Sequence, residues 1–185
     1  MSPRSRFASV PSALVAITLL AAAGAPAPLR AASKPTDWRK PLSAYESAAA
    51  ERAKAGAAQR LESPECQKLL TDFRDREGTP LADKLAAWGM NPAEYVRQLP
   101  FLDGASVPLC AKDSVRLAAV AGALQVYVCT GGPRRLNSHF ASIQAETPGL
   151  AEAMVIHEML HTLGLGENPP TSQEITQRVK RQCAP

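Results

Sequence analysis

The pattern of hydrophobic and polar positions divides the chain into a helical part and a shorter part with strand character. From Ser43 onward, apolar residues recur every three or four positions, the spacing that places them on one face of a helix. Each such segment begins at a polar residue or a proline that favours a helix start. The sequence predicts helices at 43–60, 63–74, 79–88 and 91–99.

The first of these helices differs from the other three in composition. It is rich in alanine and carries few large apolar side chains, so we expect it to face solvent. The next three carry the residues expected to form the helical half of the core. These are Leu70, Phe73, Leu81, Leu85, Trp88, Tyr95, Val96 and Leu99.

The pattern changes after Asp103 and Gly104 to one that is typical of β-structure. It predicts short strands at 107–110, 115–120 and 124–129, the last two joined as a hairpin around Gly122. If the strand at 124–129 lies at an exposed edge, it could bind an extended peptide by strand addition; an inner position is the alternative. Helices combined with a small sheet predict an α+β domain.

A further helix is predicted at 147–163. Thr147 and Pro148 favour a helix start, and Gly164 is a natural stop. One surface of this helix is expected to pack into the core and to leave its polar residues at a cleft. The apolar positions are Leu150, Met154, Ile156, Met159, Leu160 and Leu163.

This helix contains His157, Glu158 and His161 in the spacing H-E-x-x-H. Residues four apart lie one turn above each other, so both imidazoles can bind one metal ion. Glu158 is close enough to reach a water on that metal without being a ligand, as in zinc peptidases. Two unrelated histidines are the alternative. His139, the third histidine, is expected to be a surface or capping residue.

Two carboxylates downstream could supply a third ligand. We favour Glu167, because Gly164 permits the sharp turn that would return it to the metal. Glu174 lies in the first turn of a helix predicted at 171–181, where it could face the metal or complete a capping box with Thr171. The carboxylate that is not a ligand could orient a histidine.

The segment HEMLHTLGLGE at 157–167 resembles the zincin metallopeptidases. Its spacing H-E-x-x-H-x-x-G-x-x-E is similar to the metzincin pattern, with Glu167 where a third histidine usually stands. The resemblance implies a small zincin-like domain that hydrolyses peptide bonds with a zinc-activated water. It implies His157 and His161 as ligands of one Zn²⁺ per chain and Glu158 as general base.

Two departures from the metzincin pattern bear on the third ligand. No methionine follows Met159, so the Met-containing turn of that family is missing, and only 18 residues follow Glu167. A compact gluzincin-like arrangement, in which Glu174 is the third ligand, is therefore the alternative.

Residues 1–23 have the features of a secretory signal peptide. Arg4 and Arg6 precede an apolar run, and small residues at 21–23 offer a cleavage site. The run is short for an uncleaved membrane anchor, which is the alternative. A proline-rich linker at 24–41 and a single domain at 42–185 would follow. We expect a secreted or periplasmic protein without stable membrane association once the leader is removed.

If the protein is exported, its four cysteines are expected to form disulfides. An even number in an oxidising compartment predicts two disulfides, and the three connectivities stay open. The cysteines are Cys66, Cys110, Cys129 and Cys183. Their spacings are long for zinc ligands.

The charge composition argues against nucleic acid as a partner. The formal net charge is +4, Arg4 and Arg6 contribute half of it, and no basic run is interleaved with aromatic residues. The predicted function is that of an exported zinc metallopeptidase acting on a peptide or protein. The alternative is a non-catalytic, disulfide-stabilised domain that binds zinc or a partner.

Overall fold

Helices dominate the part of the chain that the computed structural model describes, which comprises residues 40–112, 114–131 and 139–184. The predicted signal peptide and the linker up to residue 39 lie outside these ranges. The helices are α1 (Ala44–Arg60), α2 (Pro64–Asp72), α3 (Leu81–Ala87), α4 (Pro92–Gln98), α5 (Phe140–Glu146), α6 (Pro148–Thr162) and α7 (Ser172–Gln182). A 3₁₀ helix spans Pro108–Ala111, and the strands are β1 (Phe101–Asp103), β2 (Leu117–Ala119) and β3 (Val126–Val128). The predicted α+β class is confirmed.

The helix starts follow the capping residues in the sequence. The side chains of Ser43, Ser63 and Asn91 each accept a backbone N–H three residues later, which satisfies a donor that the helix itself cannot pair. Thr147 differs from these residues. It stands at the N-cap position of α6, but its hydroxyl donates to the carbonyl of Ile143 in α5.

The expectation that the first helix faces solvent is wrong. Alanines on α1 pack against α4, α5 and α6, because a small side chain lets helix backbones approach closely. A Cβ at Gly56 would overlap the carboxylate of Glu152 on α6, and Arg60 pairs with that same carboxylate. The buried alanines are Ala49, Ala50, Ala53, Ala57 and Ala58.

The three strands form one sheet in the order β1, β3, β2, with β1 parallel and β2 antiparallel to β3. The predicted hairpin is confirmed: β2 and β3 flank a turn at Gly122, whose φ is +82°. The predicted strand at 107–110 is wrong, because this segment is the 3₁₀ helix, in which Pro108 lacks the N–H that a strand would need.

The position of β3 decides between the two alternatives, an exposed edge and an inner position. β3 lies between β1 and β2, so it is an inner strand. Among the described strands, β2 is the edge strand that contacts α6. β3 therefore has no free edge to which an extended peptide could be added.

The core contains most of the residues predicted for it. Trp88 is an exception: it is the C-cap of α3, it is 47% exposed, and its ring lies 5.7 Å from that of Tyr95. Leu150 and Met154 of α6 are also outside the fully buried set, and Leu150 is 38% exposed. The confirmed positions are Leu70, Phe73, Leu81, Leu85, Tyr95, Val96 and Leu99.

Two disulfides join segments that are separated in the sequence. Cys66 pairs with Cys183 and ties α2 to the end of α7, whereas Cys110 pairs with Cys129 and ties the 3₁₀ helix to the end of β3. The prediction of two disulfides is confirmed. None of the helices in the described ranges is long and apolar enough to span a membrane.

Candidate metal centre

The end of α6 turns sharply, and this turn positions the candidate site. Leu165 donates its N–H to the carbonyl of Leu160 over 3.1 Å, and Gly164 donates to that of His161 over 2.8 Å. These two bonds define a Schellman motif. Gly164 has φ +105°, which other residues rarely adopt, and a Cβ there would lie 2.9 Å from Nζ of Lys84. The glycine stop predicted from sequence is therefore required.

Two imidazoles that precede this turn and one carboxylate that follows it converge on one point. Nε2 of His157 lies 3.1 Å from Nε2 of His161, and Oε1 of Glu167 lies 3.7 Å and 3.2 Å from these two atoms. Among the described residues, they form the one group of three or more potential ligands that could hold a metal ion. Four zinc ligands at about 2.1 Å in a tetrahedron are separated by about 3.4 Å, so the spacing fits zinc.

Hydrogen bonds at the remaining ring nitrogens hold both imidazoles in place. Nδ1 of His161 lies 2.8 Å from the carbonyl oxygen of Leu165 and must donate to it, so Nε2 of the neutral ring presents a lone pair. Nδ1 of His157 lies 3.0 Å from Oγ1 of Thr176 and can donate in the same way. Three acceptor atoms then face one another. A cation between them would relieve their mutual repulsion.

The protonation state of His157 suits a metal ligand. Burial lowers the pKa of His157, as does the charge that His161 carries when it is protonated, and the carboxylate of Glu167 opposes this shift. His157 is therefore neutral at neutral pH. Metal binding requires that neutral form, because a protonated imidazole nitrogen has no lone pair to offer.

Glu158 lines the same cavity but lies outside the group of three ligands. Burial raises the pKa of Glu158 to about 8, the negative charge of Glu167 adds to the rise, and a hydrogen bond from the backbone N–H of Ala119 opposes it. The carboxyl group is therefore positioned by the edge strand β2. A pKa in this range allows a carboxyl group to exchange protons near neutral pH.

The cavity around these residues has a volume of about 840 Å³. Its walls come from β2, α6, α7 and the loop that carries Glu167. Part of the lining is apolar and includes side chains that stay partly exposed because nothing in the described chain covers them. This apolar part comprises Pro108, Leu109, Val115, Val120, Leu150 and Met154.

The structure brings together all four residues favoured by the sequence, and it places Glu174 elsewhere. The carboxylate of Glu174 accepts the N–H of Thr171 over 2.8 Å and its hydroxyl over 3.0 Å, in a complete capping box. Glu174 lines a different cavity, which does not include His157. His139 lies at the N-cap position of α5, outside the ligand group.

Sequence reasoning missed Thr176 as a partner of His157. A hydroxyl from α7 and the carbonyl of Leu165 contact the two rings, in the place that the sequence analysis allowed for the second carboxylate. One signal was present in the sequence. Ser172, Thr176 and Lys180 are spaced four apart on the predicted last helix, so they share one face, and all three line the cavity.

Glu167 and Glu174 provide a matched pair of variants. We predict that the oxidised protein lacking residues 1–23 binds one zinc ion per chain, and that Glu167→Ala weakens zinc binding by more than about tenfold because a ligand is lost. Glu174→Ala should retain the affinity of the unchanged protein. Isothermal titration calorimetry with zinc, with circular dichroism to check folding, measures both. Loss of zinc from the Glu174 variant alone would contradict the assignment.

Substitutions of Thr176 test the contact to His157. Thr176→Val keeps the shape but removes the hydroxyl, so we expect zinc affinity to fall by about 10- to 100-fold. Thr176→Ser keeps the hydroxyl and should bind zinc nearly as tightly as the unchanged protein. Competition with a chromogenic chelator measures both affinities. Equal affinities for the Val and Ser variants would show that the hydroxyl does not support the site.

Comparisons with known proteins give no information about the function of this chain. No protein family model, no curated protein and no solved structure matches the chain. The arrangement of His157, His161, Glu167 and Glu158 within the cleft is therefore the basis for a functional hypothesis.

Proposed function

We propose that the protein is an exported zinc-dependent metallopeptidase. The observation that carries the proposal is the convergence of Nε2 of His157, Nε2 of His161 and Oε1 of Glu167 in a cleft that also contains Glu158. Three protein donors suit a catalytic zinc site, which keeps one position open, better than a structural site, which is closed by four. A carboxyl group beside them, that of Glu158, has no purpose in a structural site.

The residues would divide the work as follows. Zinc held at this site supplies Lewis-acid chemistry, in that it polarises a carbonyl group and makes a coordinated water more acidic. His157 and His161 bind it through Nε2, because their Nδ1 atoms are engaged by Thr176 and Leu165. Glu167 supplies the third donor from the loop after α6.

Glu158 would act as the general base and then as the general acid. Its carboxylate takes a proton from the attacking water and returns that proton to the amine of the departing peptide. The N–H of Ala119 keeps the carboxylate at a fixed place beside the ligands. Because this N–H belongs to β2, the hydrogen bond fixes the position of the general base relative to the edge strand.

The same edge strand is suited to bind an extended polypeptide. β2 pairs with β3 on one side only, and residues 117–121 line the cleft. A strand edge that has no neighbouring strand can add one through its remaining main-chain hydrogen-bonding groups, which recognises a peptide without requiring a particular sequence. The scissile bond would then lie alongside Glu158 and the zinc ligands.

Export is supported by the two disulfides and by the character of residues 1–23. Disulfides persist in oxidising compartments and are rare in the reducing cytosol. Cys66–Cys183 and Cys110–Cys129 both lie after the predicted leader. The place of action would be the periplasm or the extracellular space.

Replacement of Glu158 tests the peptidase proposal. Glu158→Gln keeps the size and a hydrogen-bond acceptor for Ala119 but removes the base, so zinc binding should persist while hydrolysis of an unfolded protein substrate falls by about 10²- to 10⁴-fold. Mass spectrometry of the products measures hydrolysis. Glu65→Gln, at an exposed position on α2, is the matched control and should keep full activity.

Two results would contradict this proposal. Equal hydrolysis by the Glu158→Gln protein would show that Glu158 is not the base. The absence of hydrolysis by the zinc-loaded unchanged protein would favour the second candidate, a non-catalytic, disulfide-stabilised domain that binds zinc or a partner.

A further inference from the structure

The cleft that contains the candidate metal centre carries an excess of cationic side chains. Among the described residues that line it, four are basic and two are acidic. The two acidic residues are Glu158 and Glu167, which already have roles as base and ligand. The basic residues are Arg76, Lys112, Arg116 and Lys180. A bound zinc ion would add further positive charge.

Lys180 lines the same cleft as the candidate ligands and belongs to α7. It lies one turn beyond Thr176 on the same face of the helix, and Thr176 contacts His157. The neighbouring face of α7 is anchored in the core by Ile175 and Val179, both fully buried. Lys180 therefore extends from a fixed helix into the cleft.

Arg76 approaches the cleft from the loop after α2. Asp75 fixes this loop, because its carboxylate accepts the N–H groups of Glu77 and Thr79 over 3.0 Å and 2.8 Å and pairs with Lys84 over 2.6 Å. The guanidinium of Arg76 lies beside Gly166: a Cβ on that glycine would be 3.7 Å from Nε of Arg76. Gly166 directly precedes Glu167, so Arg76 stands next to the ligand loop.

Three of the four cations have no carboxylate partner within the described part of the chain. Ion pairs there involve Lys40, Lys54, Arg60, Lys84 and Arg97, and the two histidines with Glu167. Arg76, Lys112 and Lys180 are exposed and stand outside these pairs. Within the described ranges, no ion pair therefore competes with a molecule that enters the cleft for these three charges.

We propose, on the basis of the peptidase function above, that the substrates are acidic polypeptides. Aspartate and glutamate side chains near the scissile bond pair with Arg76, Lys180 and Lys112, while the main chain lies along β2. Complementary charge accelerates association and selects against basic sequences, and its effect weakens as salt screens exposed charges.

Binding can be measured without turnover in the zinc-loaded Glu158→Gln protein. Two fluorescent peptides are compared that differ only in having glutamate or glutamine at the same positions. We expect the glutamate peptide to bind about tenfold more tightly at about 50 mM salt and the difference to disappear at about 500 mM salt, by fluorescence anisotropy. The preference should persist without zinc, because the cations belong to the chain.

Substitutions of the basic residues test whether the preference for the glutamate peptide arises in the cleft. Arg76→Gln combined with Lys180→Gln should reduce the preference to about twofold. Lys68→Gln removes an exposed lysine from α2, outside the cleft, and should leave the preference unchanged. The proposal would be overturned if the two peptides bound equally. It would also be overturned if Lys68→Gln reduced the preference as much as the double variant does.

Hydrolysis by the protein with Glu158 intact separates this proposal from the previous one. If the glutamate peptide binds selectively but is not cleaved, the peptidase function fails while the acidic-peptide cleft stands. If both peptides bind equally and are cleaved with equal kcat/KM, the acidic preference fails while the peptidase function stands.

Discussion

The candidate site depends on the turn that ends α6. The left-handed conformation of Gly164 closes the Schellman motif, and this places the carbonyl of Leu165 against Nδ1 of His161. The same reversal carries Glu167 back to both imidazoles. One local backbone constraint thus orients a ring and delivers the third donor, so the ligand set is built largely within ten residues of one helix end.

Contacts with α1 and α7 fix the position of α6 in the fold. α1 packs its alanines against α6, and Arg60 of α1 joins Glu152 of α6. α7 contributes Thr176 to His157, and its end is tied to α2 by the disulfide of Cys183. A sheet of three short strands provides little scaffold by itself. Helix packing and the disulfides therefore position the residues of the candidate site, a role that a larger sheet would otherwise have.

Local signals explain what the sequence could predict. Helix caps, the glycine stop and the H-E-x-x-H spacing act within a few residues, so their consequences are visible without the fold. The capping box of Thr171 and Glu174 is equally local, and it occupies the carboxylate that was the alternative ligand. The choice of Glu167 required the geometry of the turn, which the sequence indicated only through Gly164.

What the sequence could not predict depends on tertiary packing. Alanine suits both a solvent-facing helix and a tightly packed one, so the burial of α1 is decided by its neighbours. Pro108 begins a 3₁₀ helix where hydrophobic residues alone predicted a strand, and Trp88 stays exposed at the C-cap of α3. The contact of Thr176 with His157 joins residues on two helices that only the fold brings together.

The central claim is that His157, His161 and Glu167 bind one zinc ion and leave a position open. X-ray absorption at the zinc edge, on the oxidised protein loaded with one equivalent of zinc, tests it most directly. The account predicts four nitrogen or oxygen neighbours at about 2.0–2.2 Å, with outer-shell scattering from two imidazole rings. A sulfur neighbour at about 2.3 Å, or scattering from fewer than two imidazoles, would contradict it.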